Sequence, residues 1–86
     1  MMPSRLESLV LRSLRAGAPL YGLQIVRASD GQISVSSVYT TLYRMQNKGL
    51  VTVASTGSPP HSGLPRPRYR ITALGKRALL AAELMQ

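Results

Sequence analysis

The breaks in this sequence constrain its fold more than any other feature. Gly17-Ala18-Pro19, Ser29-Asp30-Gly31, Gly49 and the Ser-, Gly- and Pro-rich stretch from Ser55 to Pro67 cut the 86 residues into short segments. Capping signals then assign each segment. Ser4-Arg5-Leu6-Glu7 has the form of a capping box, followed by Leu6, Leu9, Val10 and Leu14 at helical spacing, which predicts a helix to about Ala16. Tyr21 to Ala28 predicts a short second helix with Leu23, Ile25 and Val26 on its buried side. Gln32 and Ile33 admit a very short strand, and Ser34 is a good N-cap for a third helix running to about Lys48. On that helix Val38, Leu42 and Met45 form one apolar stripe, while Ser36, Ser37, Thr40, Thr41, Arg44, Asn47 and Lys48 are expected to point away from it.

Beyond Gly49, Leu50-Val51-Thr52-Val53 is expected to be a strand, Ser55 to Pro67 a flexible loop, and Arg68-Tyr69-Arg70-Ile71 a half-buried strand completing a hairpin. Thr72 is then expected to cap a final helix with Leu74, Ala78, Leu79, Ala82 and Met85 on a broad apolar face. The resulting order is helix, helix, helix, strand, wing loop, strand, helix. It is a mainly α winged helix-turn-helix with a small β-hairpin, expected as a single domain over residues 1–86. With 44% hydrophobic and 16% charged residues the chain has enough apolar content to bury a core. The absence of cysteine removes disulfides, thiolate zinc sites and thiol catalysis, and no metal site or cofactor is expected. No apolar run approaches the roughly 20 residues of a membrane span, so a cytoplasmic protein without membrane contact is expected.

Between Asp30 and Glu83 there is no acidic residue, yet that stretch holds Arg44, Lys48, Arg66, Arg68, Arg70, Lys76 and Arg77. A net charge of +8 on so small a chain attracts polyanions, nucleic acid first. Arg66, Arg68 and Arg70 share one face of an extended chain because side chains alternate, while Tyr69 and Ile71 turn inward. Pro65 and Pro67 are compatible with an edge strand. Only Glu7, Asp30 and Glu83 exist to pair with these arginines, so contact with a nucleic-acid backbone or minor groove is expected of them. The amino-terminal turns of a recognition helix approach base edges while its hydroxyls meet phosphate, a job that suits Ser36, Ser37 and Thr40. The alternative is ordinary capping and solvation. Arg44 either reaches guanine or phosphate or sits on a solvated face. Tyr39 and Tyr43 are either a phosphate ligand and a wing contact, respectively, or core supports. His61, at the loop tip, is expected to be solvated.

Three segments resemble the PadR-type transcriptional regulators over nearly the whole chain. Leu20-Tyr21-Gly22-Leu23-Gln24-Ile25 resembles the family's small-aromatic-Gly segment at the start of helix two. Ser37-Val38-Tyr39-Thr40-Thr41-Leu42-Tyr43-Arg44, followed by Gly49-Leu50-Val51, resembles its recognition segment, with Thr40 where the family usually has Pro. Arg68-Tyr69-Arg70-Ile71-Thr72, with Gly75 three residues on, resembles its second wing strand and the helix that follows. The resemblance implies a phosphate role for Tyr39 and dimerisation through the last helix, about residues 72–86, with Leu79, Ala82 and Met85 at the contact; the alternative is that this apolar face simply packs on helix one. Many members continue further at the carboxyl end, so a minimal regulator of the kind phages and mobile elements encode is expected, without a small-molecule effector.

The function expected is sequence-specific binding of double-stranded DNA by a homodimeric repressor on a pseudo-palindromic operator, in a bacterial cell or phage-infected host. Dimer symmetry would place two recognition helices in major grooves about 34 Å apart. The alternative is a winged helix that grips an acidic host or regulatory protein. RNA is disfavoured because the chain has no Phe or Trp to serve as a stacking platform. No nucleophile with a base and no phosphate-cradling Gly-rich loop supports an enzyme.

Overall fold

Helix α1 (Arg5–Leu14) begins where its capping box closes: the Glu7 amide donates to Ser4 Oγ at 3.2 Å and the Ser4 amide donates to Glu7 Oε1 at 2.8 Å. It ends at Leu14, two residues before Ala16, with Arg15 as its C-cap. The computed structural model describes residues 2–57 and 66–85, so His61 and Pro65 lie outside the described residues. After β1 (Leu20–Tyr21) come α2 (Gly22–Ala28) and α3 (Val35–Asn47), then β2 (Val51–Gly57), β3 (Arg66–Ile71) and α4 (Ala73–Leu84). This is the winged helix-turn-helix order with an added strand ahead of α2.

Local chemistry sets each boundary. The Ser29 hydroxyl closes α2 by donating to the Val26 carbonyl at 2.8 Å and accepting from the Ile33 amide at 3.2 Å. That bond satisfies Ile33 without a strand partner, so the short strand expected at Gln32 and Ile33 does not form, and Ile33 drops into the core. Ser34 caps α3 by accepting from the Ser37 amide at 3.2 Å. At the other end, the Leu50 amide reaches the Met45 carbonyl and the Gly49 amide the Gln46 carbonyl. This pair of bonds requires a left-handed residue, which Gly49 supplies at φ 77° without a Cβ clash.

Among the described residues the sheet is antiparallel with strand order β1-β3-β2. Leu20 pairs with Tyr69 and Tyr21 with Arg68, while β2 runs from Val51 opposite Ile71 to Gly57 opposite Arg66, with a bulge between Val53 and Ser55. The hairpin strands therefore reach into the stretch expected to be loop at both ends. β3 is the central strand rather than an edge. Pro67 fits because it lies past the last β1 pairing, where β3 has a neighbour on one side only.

The core takes Leu9, Val10, Leu11 and Leu14 from α1, Ile25 from α2, the Val38, Leu42 and Met45 stripe from α3, Tyr69 and Ile71 from β3, and Leu79 from α4. Leu23, expected inside, is exposed; Ile25 and Val26 suffice to seat α2. Helix α1 is the hub, packing on α2, α3, α4 and β3.

One polar contact ties α1 to α3. Glu7, almost fully buried, accepts from Lys48 Nζ at 2.7 Å through the carboxylate oxygen not used by Ser4. Burial pushes the Glu7 carboxyl up, but Lys48 and the Ser4 amide outweigh it and hold the group below its ordinary value of 4.5. Because the folded pKa is depressed, the unfolded chain takes up the proton first, so this contribution is complete above 4.5 and is lost as the pH falls through the folded value. Glu7→Gln is expected to cost about 2 kcal/mol at neutral pH. In urea titrations repeated down the pH scale, that gap to the wild type closes in acid; a constant gap would place the stabilisation elsewhere.

Candidate nucleic-acid interface

Helix α3 presents two outward stripes, because residues four apart stack on one face. Ser36, Thr40 and Arg44 form the first, all exposed. Val35, Tyr39 and Tyr43 form the second, with Tyr39 47% and Tyr43 66% exposed. At that exposure Tyr43 is not a buried support of the core. Ser37 is half-buried, and its hydroxyl accepts from Ser34 Oγ at 3.0 Å within the capping cluster that also holds Ser36 Oγ at 3.0 Å from Ser34. Thr41 corrects an expectation: it is only 7% exposed and donates to the Ser37 carbonyl at 2.8 Å, so its hydroxyl closes back on its own helix. Lys48 lies off the apolar stripe as expected, and is engaged by Glu7.

In the wing, Arg66, Arg68 and Arg70 are exposed on one face of β3 while Tyr69 and Ile71 are buried, as the alternation requires. Burial pushes the Tyr69 phenol up, with the neighbouring Tyr39 adding to the shift. The ion pairs among the described residues, Arg15 with Glu83 and Lys48 with Glu7, include none of Arg44, Arg66, Arg68 and Arg70. Two of these have an aromatic partner instead: the guanidinium carbons of Arg66 and Arg68 lie 5.0 and 4.9 Å from the centroid of the Tyr21 ring. Counting acidic residues could not reveal that contact, since the partner is aromatic and arrives through β1.

Helix and wing meet at two consecutive residues. Tyr21 carries the arginines, and the backbone of Gly22 is covered by the ring of Tyr39, so that a methyl group on Gly22 would stand 2.6 Å from Tyr39 Cε1. The Tyr39 stripe of α3 and the arginine strand therefore border one another. Gly22→Ala is expected to displace the Tyr39 ring, the free end of a half-exposed side chain, at a stability cost of about 1 kcal/mol or less. Polyanion binding, by contrast, is expected to weaken about fivefold, since a displaced ring next to the site spoils its fit. Equal binding by Gly22→Ala in an anisotropy titration would remove Tyr39 from the interface.

At the far side, α4 buries Leu79 at 3% exposure against the chain's own core, which corrects its expected place in a subunit contact. Ala82 is half-buried, while Leu80, Leu84 and Met85 are exposed, Met85 at 77%. No cluster of His, Asp or Glu able to hold a metal occurs among the described residues, and no described helix is long and apolar enough to cross a membrane.

Residues 10–81 match the family described as "Transcriptional regulator PadR-like family". Among solved structures, a PadR family transcription regulator from Clostridium difficile superposes with a TM-score of 0.77 at 22% identity, covering 95% of this chain and 86% of that one. The protein TA0346 from Thermoplasma acidophilum gives a TM-score of 0.75 at 24% identity over 93% of this chain and 78% of its own. BpsR from Bordetella bronchiseptica, whose DNA binding is regulated by 6-hydroxynicotinic acid, gives 0.67 at 22% identity over 96% of this chain and 56% of its own. At these identities the likenesses establish the fold. Among curated proteins, none matches the chain.

Proposed function

The chain belongs to the PadR-like family of transcriptional regulators, a family of DNA-binding proteins rather than enzymes, and on that premise we propose that it is a sequence-specific repressor acting as a homodimer on a pseudo-palindromic operator. The observation that carries this reading is the junction of helix and wing: Tyr39, on the stripe beside the exposed Ser36, Thr40 and Arg44, covers Gly22, while the neighbouring Tyr21 carries a strand of arginines without acidic partners. In the proposal α3 enters the major groove, with Ser36, Thr40 and Arg44 toward bases and Tyr39 toward phosphate. Ser37 acts one step back by fixing the α3 amino terminus through Ser34. Arg66, Arg68 and Arg70 grip the backbone beside the groove and supply affinity for any sequence.

The subunit contact is assigned to α4 through Ala82 and Met85 together with Leu80 and Leu84, which replace Leu79 in that role. Residues 1–86 then act as one DNA-binding unit, and repression follows from occlusion of a promoter.

Selection of bound sites from a random duplex library tests the reading directly. A two-fold symmetric motif with half-sites about one helical turn apart is expected. An asymmetric motif would remove the homodimer, and no enriched motif would remove sequence-specific recognition. The exposed Val35 and Tyr43 keep an acidic protein partner as the second reading; it gains if duplex DNA neither binds the free domain nor displaces such a partner.

A further inference from the structure

We propose that Tyr21 is a positioning residue, holding Arg66 and Arg68 together in the conformation that grips the DNA backbone without touching DNA itself. The inference rests on the DNA-binding reading above. Two like-charged guanidiniums two residues apart on one strand face repel each other and, in solvent, sample many rotamers. Here both lie within about 5 Å of the centre of a single aromatic ring, whose negative face attracts each of them. The backbone that carries the ring is well anchored. Tyr21 pairs in register with Arg68 across the sheet, its amide donates to Gln24 Oε1 at 2.7 Å, and the next residue, Gly22, is buried under Tyr39.

Arg70 lies on the same face of β3 and is likewise exposed, but has no contact with the ring. It is an internal control. Ordering two long side chains before they meet phosphate lowers the entropy lost on docking, so part of the wing's affinity resides in a residue that carries no charge.

The test is a double-mutant cycle on the selected duplex, read by fluorescence anisotropy, alongside NMR of the free protein. Tyr21→Leu is expected to weaken binding about tenfold while leaving the salt slope unchanged, because both charges still reach phosphate. Tyr21→Phe keeps the ring and is expected to bind within about twofold of the wild type. The Tyr21→Leu effect vanishes in an Arg66→Ala/Arg68→Ala background and persists in an Arg70→Ala background.

In the free protein, side-chain protons of Arg66 and Arg68 are expected to show upfield ring-current shifts that Arg70 lacks, a readout that stands even if Tyr21→Leu fails to fold. Loss of binding by Tyr21→Phe equal to that of Tyr21→Leu would make the hydroxyl a direct contact and overturn the proposal. So would a Tyr21→Leu effect undiminished without the two arginines, or the absence of the ring-current shifts. Salt-independent or absent duplex binding by the wild type would instead bring down the DNA reading, and the proposal with it.

Discussion

Gly75→Ala is expected to destabilise the fold by about 3 kcal/mol, a large share of the roughly 5–10 kcal/mol typical of a domain this small. Helix propensity argues the other way, since Ala is better than Gly by about 1 kcal/mol inside a helix. Sterics decide. A methyl group on Gly75 would stand 2.2 Å from the Leu50 carbonyl oxygen, 2.9 Å from Ile71 Cγ1 and 3.2 Å from Leu11 Cδ2. The nearest of these is backbone and cannot swing aside freely, because that carbonyl accepts from the Thr72 amide at 3.1 Å and from Thr72 Oγ1 at 3.1 Å. Thr72 in turn accepts from the Gly75 amide at 3.0 Å as the cap of α4. Relief therefore requires α4 to back away from α1 and the sheet, loosening Leu79 in the core. Urea unfolding at fixed protein concentration checks this, the concentration being held because dimerisation would otherwise shift the midpoint. A midpoint equal to or above that of the wild type would mean that the helix slides without cost, and the close packing of α4 would lose its structural importance.

The parts of this fold that could be seen in the sequence are those whose causes lie within a few residues of one another. The Ser4 and Glu7 box spans one turn, and the Val38, Leu42 and Met45 stripe and the inward Tyr69 and Ile71 follow helix and strand periods. Strand β1 was invisible because two residues carry no period; it exists only because β3 lies beside it. The wing strands ran longer than expected for a related reason: backbone pairing extends them through Gly57 and Pro67, where composition signals a loop. Helix α4 carries apolar residues on more than one face, so the pattern could not say that Leu79 turns inward while Leu80 stays out. At the candidate site, residue type alone could not separate the buried Thr41 from the exposed Thr40. The engagement of Lys48 by Glu7, and of Arg66 and Arg68 by Tyr21, joins segments far apart in the chain. Only the assembled fold brings those partners together.

Replacing Arg66, Arg68 and Arg70 together with Ala is expected to weaken operator binding by on the order of 10^4 at 0.15 M salt and to flatten its salt dependence. Four of the cations free of ion pairs, Arg44 and the three on β3, lie on the proposed interface and would neutralise about four phosphates per subunit, giving a slope of log affinity against log salt of about −7 for a dimer. Removing the wing leaves Arg44 alone in each subunit and a slope of about −2. Each lost contact is worth about fivefold in affinity at that salt, so the combined loss far exceeds any single substitution. Stability is expected to change by about 1 kcal/mol or less, since all three side chains are exposed and make no ion pair; what goes is strand propensity and the contact with Tyr21. A control at a separate basic site distinguishes local contact from the general field of the molecule: Arg5→Ala/Arg12→Ala removes two cations per subunit from the groove between α1 and α4. That pair is expected to leave the slope nearly unchanged, because a surface outside the footprint releases no counterions from DNA. If the wing triple shifted the slope by no more than the control does, the arginine strand would lie off the duplex, and α3 would have to reach the DNA by a different approach.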